Sequence, residues 1–258
     1  MTDSKPAFWD QYQSRGIEKT AHRYRAIQAD RADGTRVVVY EIDHAQDLPE
    51  PLLNRIRFEA RRLTKEADSQ AVRPLTVLVD DEVTRIVCPR PVQNSVAEFF
   101  KSPTTFTVDV LHQILDISEH LLQILIPLHE AGILIRCLLP QHIDLDIHQG
   151  QLSVCLVGCP PLALLHGWET EQSSRHTLAY AAPETLGALD CDVQAPADLY
   201  SFGVVLYELI CGRTPFVADT VSDMLFHHVT TPTPEPAQYC PYIPTPLRDI
   251  LFLSLIHI

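Results

Sequence analysis

Cations are scarce in this chain of 258 residues: 20 Lys and Arg stand against 33 Asp and Glu, a formal net charge of −13. Such a balance argues against nucleic acid or an anionic membrane as the main partner, so neither is expected. Paired cysteines are lacking too. The seven cysteines include no Cys-x-x-Cys and sit in apolar runs, which points to buried thiols in a reducing, cytoplasmic setting rather than to disulfides or a metal site. Long apolar runs are also missing. Leu121 to Pro140 is interrupted by His129, Glu130 and Arg136, and the first twenty residues are polar, so the reading is a soluble protein with no span and no signal peptide. Nor do glycines cluster as Gly-x-Gly-x-x-Gly, the loop that wraps a nucleotide's phosphates.

What is present is a chain whose periodicity changes part-way. Residues 1–22 have no strong pattern and read as an arm in which Phe8, Trp9 and Tyr12 could dock on the body. Tyr24 onward predicts a hairpin turning at Asp33-Gly34, with Arg36 to Ile42 as its β-branched second strand. Leu52 to Glu66 has helical spacing, and Val72 to Val79 and Val83 to Cys88 are two further strands. From Ser95 the pattern turns helical, with Val108 to Ala131 closed by Gly132. Val221 to Val229 predicts another helix, on which His227 and His228 read as a partly exposed pair, and the six prolines of residues 232–246 read as an extended surface connection. Between them, Ala195 to Phe216 is apolar around nearly its whole circumference, the mark of a helix enclosed on every side. Pro196 and Asp198 suit its first turn and Gly212 its stop.

Asp198 to Phe216 spells Asp-x-Tyr-Ser-x-Gly-Val-x-Leu-Tyr-Glu-Leu-x-x-Gly-x-x-Pro-Phe, and Ala182-Pro183-Glu184 lies upstream, after Thr177 and Tyr180. These residues resemble the central helix and the end of the activation segment of eukaryotic-type serine/threonine protein kinases. The resemblance covers about residues 22 to 253. It implies an α+β, two-lobed fold: an arm over 1–22, a small strand-rich lobe over about 23–90, and a helical lobe over about 91–258. A large lobe of that kind would continue beyond Ile258, so the sequence reads as a fragment whose last few residues are not all native. Leu225 to Pro232 and Pro241 to Ile250 are also similar to the kinase-like domain at the N-terminus of hybrid histidine kinases, which would make the chain an input module.

The same resemblance locates where the chemistry of phosphoryl transfer belongs. That reaction needs a glycine-rich lid, a Lys on the phosphates, metal-binding Asp and Asn, and an Asp to take the hydroxyl proton. Tyr24 to Val37 holds one glycine, Gly34, so the lid is missing. Val37-Val38-Val39-Tyr40 lies on Val-Ala-Ile-Lys, which puts Tyr40 in place of the Lys and leaves the matching Glu59 as a solvated helix residue. Ile135 to Asp146 lies without a gap on the catalytic-loop pattern: Arg136 is kept, Cys137 replaces the proton-accepting Asp, Leu139 the Lys and His142 the metal-binding Asn. Leu156-Val157-Gly158 lies on Asp-Phe-Gly, keeping Gly158 and losing the metal ligand at Leu156. Pro89 and Pro91 fall at the hinge that reads adenine with backbone N–H groups, and Asp144 falls on the adenine floor. The scaffold positions Asp198, Gly203 and Glu184 survive, as do the apolar Leu63, Ile135 and Val157.

Rival readings of single residues are weaker. Cys137 and His142 could be a nucleophile and base, yet a reduced buried thiol is the plainer assignment. Cys155, Cys159 and His166 match no standard zinc spacing. Ser173, Ser174 and Thr177 could accept phosphate, with Arg175 as the nearby cation. The expectation is therefore a catalytically inactive kinase-like module with a regulatory or scaffolding role, no bound metal or cofactor, and protein partners that include other domains of a larger signalling protein. The alternative is a divergent kinase that binds ATP and Mg²⁺ through other oxygens, such as those of Asp144 or Asp146.

Overall fold

A computed structural model describes residues 8–20, 24–44, 49–66, 76–80, 82–90, 95–99, 107–148, 151–157, 177–186 and 192–256. The chain divides into two compact units, Met1–Arg90 with Val157–Leu164, and Pro91–Leu156 with Leu165–Ile258. The first is the strand-rich lobe and the second the helical one, as an α+β kinase fold requires.

The first unit is built on one antiparallel sheet. Its strands are β1 (Tyr12–Thr20), β2 (Arg25–Arg31), β3 (Arg36–Asp43), β4 (Thr76–Val79) and β5 (Val83–Pro89), in the order β1-β2-β3-β5-β4. The β2–β3 turn forms where sequence placed it: Gly34 takes φ +84, and Asp33 Oδ1 accepts from the Thr35 N–H at 2.9 Å. The expected arm is corrected. A short 3-10 turn at Phe8–Asp10 leads into β1, which pairs with β2 along its length. Phe8 stacks on Tyr12 at 4.6 Å and lies under the Arg85 guanidinium at 4.9 Å, against a core of Ile27, Ala29, Val37, Val39 and Val87. Glu41, buried on the same sheet, accepts from Arg25 and Arg85, each at 2.8 Å.

Helix α1 (Glu50–Glu66) follows β3 and packs along β4. Leu53, Ile56, Ala60 and Leu63 recur at helical spacing and are all buried. Arg57 pins the helix to the sheet, donating through Nε to Thr84 Oγ1 at 2.9 Å and through Nη2 to His44 Nε2 at 2.8 Å.

In the second unit, α2 (Val96–Phe99) and α3 (Val108–Glu130) precede the hairpin of β6 (Ile143–His148) and β7 (Gln151–Leu156). Thr107 caps α3 by accepting from the Val110 N–H, and Gly132, at φ +68, turns the chain away from it. Then come α4 (Ala195–Cys211), α5 (Val221–Thr230) and α6 (Thr245–Ser254). Helix α4 is enclosed as its sequence predicts, apart from Leu199, which is exposed, and Cys211, which is half-buried. Gly212 ends it in the left-handed region at φ +70. Helix α6 packs on α4 at Gly203, where a Cβ would stand 2.2 Å from Ser254 Oγ. The proline-rich stretch is partly regular rather than simply extended, with a 3-10 turn at Pro236–Gln238 and Pro244 as the cap of α6. No described helix is long and apolar enough to cross a membrane.

Candidate functional site

The site is organised by a carboxylate with no exposure. Asp198, in the first turn of α4, accepts at Oδ2 from the Ile135 N–H at 2.9 Å and at Oδ1 from the Arg136 N–H at 2.5 Å. A third bond comes from His129 Nε2 at the end of α3, 2.8 Å from Oδ2; a carboxylate only accepts, so Nε2 carries the proton. Three charge-assisted bonds satisfy a buried charge that would otherwise be costly. They also hold Arg136 at φ +64, a left-handed backbone that an L side chain adopts only when its surroundings impose it.

Past that strained residue the loop reverses into the hairpin. Cys137 is buried, and its thiol donates to the Thr177 carbonyl at 3.6 Å, a reach suited to sulfur. Leu139 is buried too, and caps the 3-10 turn Pro140–His142. His142, half-buried, leads into β6; the first β6 residue, Ile143, pairs with Leu156 at the end of β7, so the hairpin brings the His142 and Leu156 positions together. Asp144 pairs with Cys155 one step further along and is buried, whereas Asp146 is exposed. Gly158, Cys159, His166, Ser173, Ser174 and Pro91 lie outside the described residues.

The segment from Thr177 to Glu184 is fastened from α4 and α5. Ser201 Oγ donates to the Tyr180 carbonyl at 2.6 Å, and the Tyr180 hydroxyl donates to Glu208 at 2.7 Å. Burial, then the bond to Glu208 and its charge, push the Tyr180 hydroxyl well above the ordinary phenol range. His228 completes the fastening. It is buried, bonded through Nε2 to the Leu178 carbonyl at 2.9 Å and through Nδ1 to the Tyr200 hydroxyl at 2.5 Å. Its reading as a partly exposed residue is corrected: only its neighbour His227 keeps that description, half-buried and stacked on Phe216. The signal available in sequence was spacing, since Met224 and His228 lie four apart on one face and both are buried. Thr177 is buried, a poor setting for a phosphate acceptor. Glu184 is half-buried at the following turn, and its charge adds to burial in raising the Tyr200 hydroxyl.

In the first unit Tyr40 is half-buried on β3, its ring 6.0 Å from that of Tyr24 in an edge-on arrangement. Glu59 is half-buried rather than solvated and accepts from Arg55 at 3.1 Å, one helical turn away. The place of the phosphate lid is also corrected. Because β1 ends at Thr20 and β2 begins at Arg25, the lid position falls before Tyr24, not between Tyr24 and Val37. Gly16 is the only glycine on those two strands, and its φ of +135 lies within a break of register in β1. Among the described residues, no group of three or more His, Cys, Asp or Glu side chains is arranged to hold a metal ion.

Comparison with known proteins bears on the whole of this arrangement. The family model described as the protein kinase domain matches residues 19–243. The chain belongs to the protein kinase domain family. Among curated kinases, it is 32% identical over 136 residues to the DNA damage-responsive serine/threonine-protein kinase RqkA of Deinococcus radiodurans, covering 49% of this chain and 19% of that one. It is 32% identical over 131 residues to the serine/threonine-protein kinase Pkn1 of Myxococcus xanthus, covering 49% and 19%. It is 23% identical over 218 residues to the serine/threonine-protein kinase PrkC of Bacillus subtilis, covering 83% and 32%. The matched region thus spans about a third or less of each of these kinases' own length.

Proposed function

We propose that this kinase domain does not transfer phosphate and serves as a regulatory or scaffolding module in signalling. The observation that carries the reading is at Cys137. A proton-accepting carboxylate belongs there, and instead a buried thiol donates to the Thr177 carbonyl, the reverse polarity. The other positions support it. Tyr40 offers phosphate no cation, Leu156 has no ligand atom and His142 presents an imidazole, whereas Mg²⁺ takes oxygen ligands, so the residues at these positions do not fit the metal. Loss of a general base alone lowers a rate by about 10² to 10⁴. What is retained is the set of bonds that shape the loop and the Thr177–Glu184 segment, and these run largely through main chain. Retained shape with replaced chemistry suits a domain that works by binding protein partners, including other domains of a longer cytoplasmic protein such as a hybrid histidine kinase. Nucleic acid and membrane are not among the expected partners.

The names of the relatives favour a second reading, a divergent kinase; it would find oxygens for a metal–nucleotide complex elsewhere, for instance at Asp144 or Asp146. One pair of measurements separates the two. In the first reading, Mg²⁺ with ATP leaves the melting temperature unchanged and no radiolabelled γ-phosphate appears on the protein or on a general acceptor protein. Stabilisation by Mg²⁺–ATP together with label transfer establishes the second.

A further inference from the structure

Helices α1 and α3 carry opposite charge on their solvent faces. The seventeen residues of α1 include five Lys and Arg against three Glu, while the twenty-three of α3 include four Asp and Glu and no Lys or Arg. The excess on α1 reaches even its packed side, for the Arg57 guanidinium is held below its ordinary value first by burial and then by the charge of Arg61. Each face also exposes apolar side chains that nothing in a polar helix face calls for. Phe58 on α1 is 59% exposed, and Val108 and Leu115 on α3 are 68% and 40% exposed.

The spacings match. Arg55, Arg62 and Lys65 are separated by seven and three residues, and so are Asp109, Asp116 and Glu119. With the helices side by side and parallel, each cation therefore meets a carboxylate. In the same register Phe58, three residues after Arg55, points between Val108 and Leu115, the knob-into-hole arrangement of packed helices. Arg55 can exchange its bond to Glu59, Arg62 its place over the Phe58 ring and Glu119 its bond from Gln123 for contacts across the pair at little cost, because surface interactions within one helix are weak.

We propose that α1 of one copy docks on α3 of a second copy, so that the domain self-associates through a basic–aromatic stripe and an acidic–apolar one. The two stripes differ, so the contact is heterologous, unless a two-fold axis makes it twice. A single helix pair is small beside a stable interface, which places the association in the micromolar range and makes it sensitive to salt. It depends on charge and shape at the surface and not on whether the domain transfers phosphate.

Sedimentation velocity on the full chain tests it, from about 1 to about 100 µM in about 0.05 M and about 0.5 M NaCl. The wild type is expected to associate at low salt and to be monomeric at high salt. Arg62→Glu with Lys65→Glu, and separately Asp116→Lys with Glu119→Lys, are each expected to weaken association by about tenfold or more, with unchanged circular dichroism and melting. An equimolar mixture of the two variants restores it, since each reversed stripe then meets its complement. Phe58→Ser, with no charge changed, weakens it as well, and serves where either double variant fails to fold. A wild type that stays monomeric at about 100 µM in low salt overturns the proposal. So does association indifferent to both reversals, or a mixture that does not recover it; binding of an acidic protein or a DNA duplex by a monomeric wild type counts against the second copy as occupant.

Discussion

Replacing Asp198 by Ala removes the acceptor for three donors at once: the N–H groups of Ile135 and Arg136 and Nε2 of His129. Water cannot substitute easily, because the carboxylate has no exposure and both Ile135 and Arg136 are buried. Each buried donor left without a partner costs about 1–3 kcal/mol, and breaking one side of a buried charged network costs about 3–5 kcal/mol. Relaxation of Arg136 from φ +64 returns part of that, since a non-glycine residue in the left-handed region carries about 1–3 kcal/mol of strain. The net expectation for Asp198→Ala is a loss of about 3 kcal/mol, equivalent to a melting temperature lower by about 10 °C in a chain of this size. Asp198→Asn keeps one acceptor oxygen and is expected to lose about half as much, because its amide nitrogen then faces a donor. Urea denaturation followed by circular dichroism gives both numbers. A change under about 1 kcal/mol for the Ala variant would refute the claim that this carboxylate shapes the loop.

Four further outcomes are expected. Gly203→Ala drives a methyl group into Ser254 on α6 and loses about 1–3 kcal/mol; Ser254→Gly in the same chain should recover most of it, read as a coupling energy from urea denaturation. Cys137→Asp installs the residue that the resemblance to kinases implies for this position, yet it sets a buried carboxylate against the Thr177 carbonyl, so it is expected to destabilise by about 1–3 kcal/mol and to yield no γ-phosphate transfer in a radiolabel assay. Glu41→Ala leaves Arg85 without its buried carboxylate and is expected to lose about 1–3 kcal/mol in the same denaturation assay, and to raise the fluorescence change of Trp9 on addition of a quencher. Burial raises the Cys211 thiol from 9.0 to about 12, and Cys240 also upward. The folded chain keeps the Cys211 thiol protonated at a pH where the unfolded chain ionises it, so its contribution is complete below about pH 9 and is lost as the pH rises toward 12, and Cys240 acts in the same direction. Calorimetry should show melting temperatures falling across that window, and a Cys211→Ala, Cys240→Ala chain should fall less steeply.

The helical unit was largely legible in the sequence. Helix α4 announces itself through apolar residues on all sides with Pro196 near the start and Gly212 at the end, and α3 through its 3.6-residue period and Gly132. Strand β1 did not, for a physical reason. It is an edge strand on which Tyr12 is buried while residues 13–17 are exposed, and its register breaks twice, so no alternation of polar and apolar residues survives. Missing it displaced the lid position by a whole strand. His228 was misread because a histidine on a helix carries no sign of whether its ring faces water, and its partners, Tyr200 and Leu178, are 28 and 50 residues away in sequence. The loop residues were read against the family pattern through Pro140 and its neighbours, but no sequence pattern could reveal that the Cys137 thiol is turned toward Thr177.

The manner in which Asp198 holds its loop has a use in protein engineering. Amide hydrogens are common to every residue except proline, so the grip on Ile135 and Arg136 does not depend on which side chains the more exposed end of the loop carries. Libraries varied at the half-buried Gln141 and His142 should keep the backbone they inherit, provided the buried Cys137 and Leu139 are left in place and proline is barred from the two anchored positions.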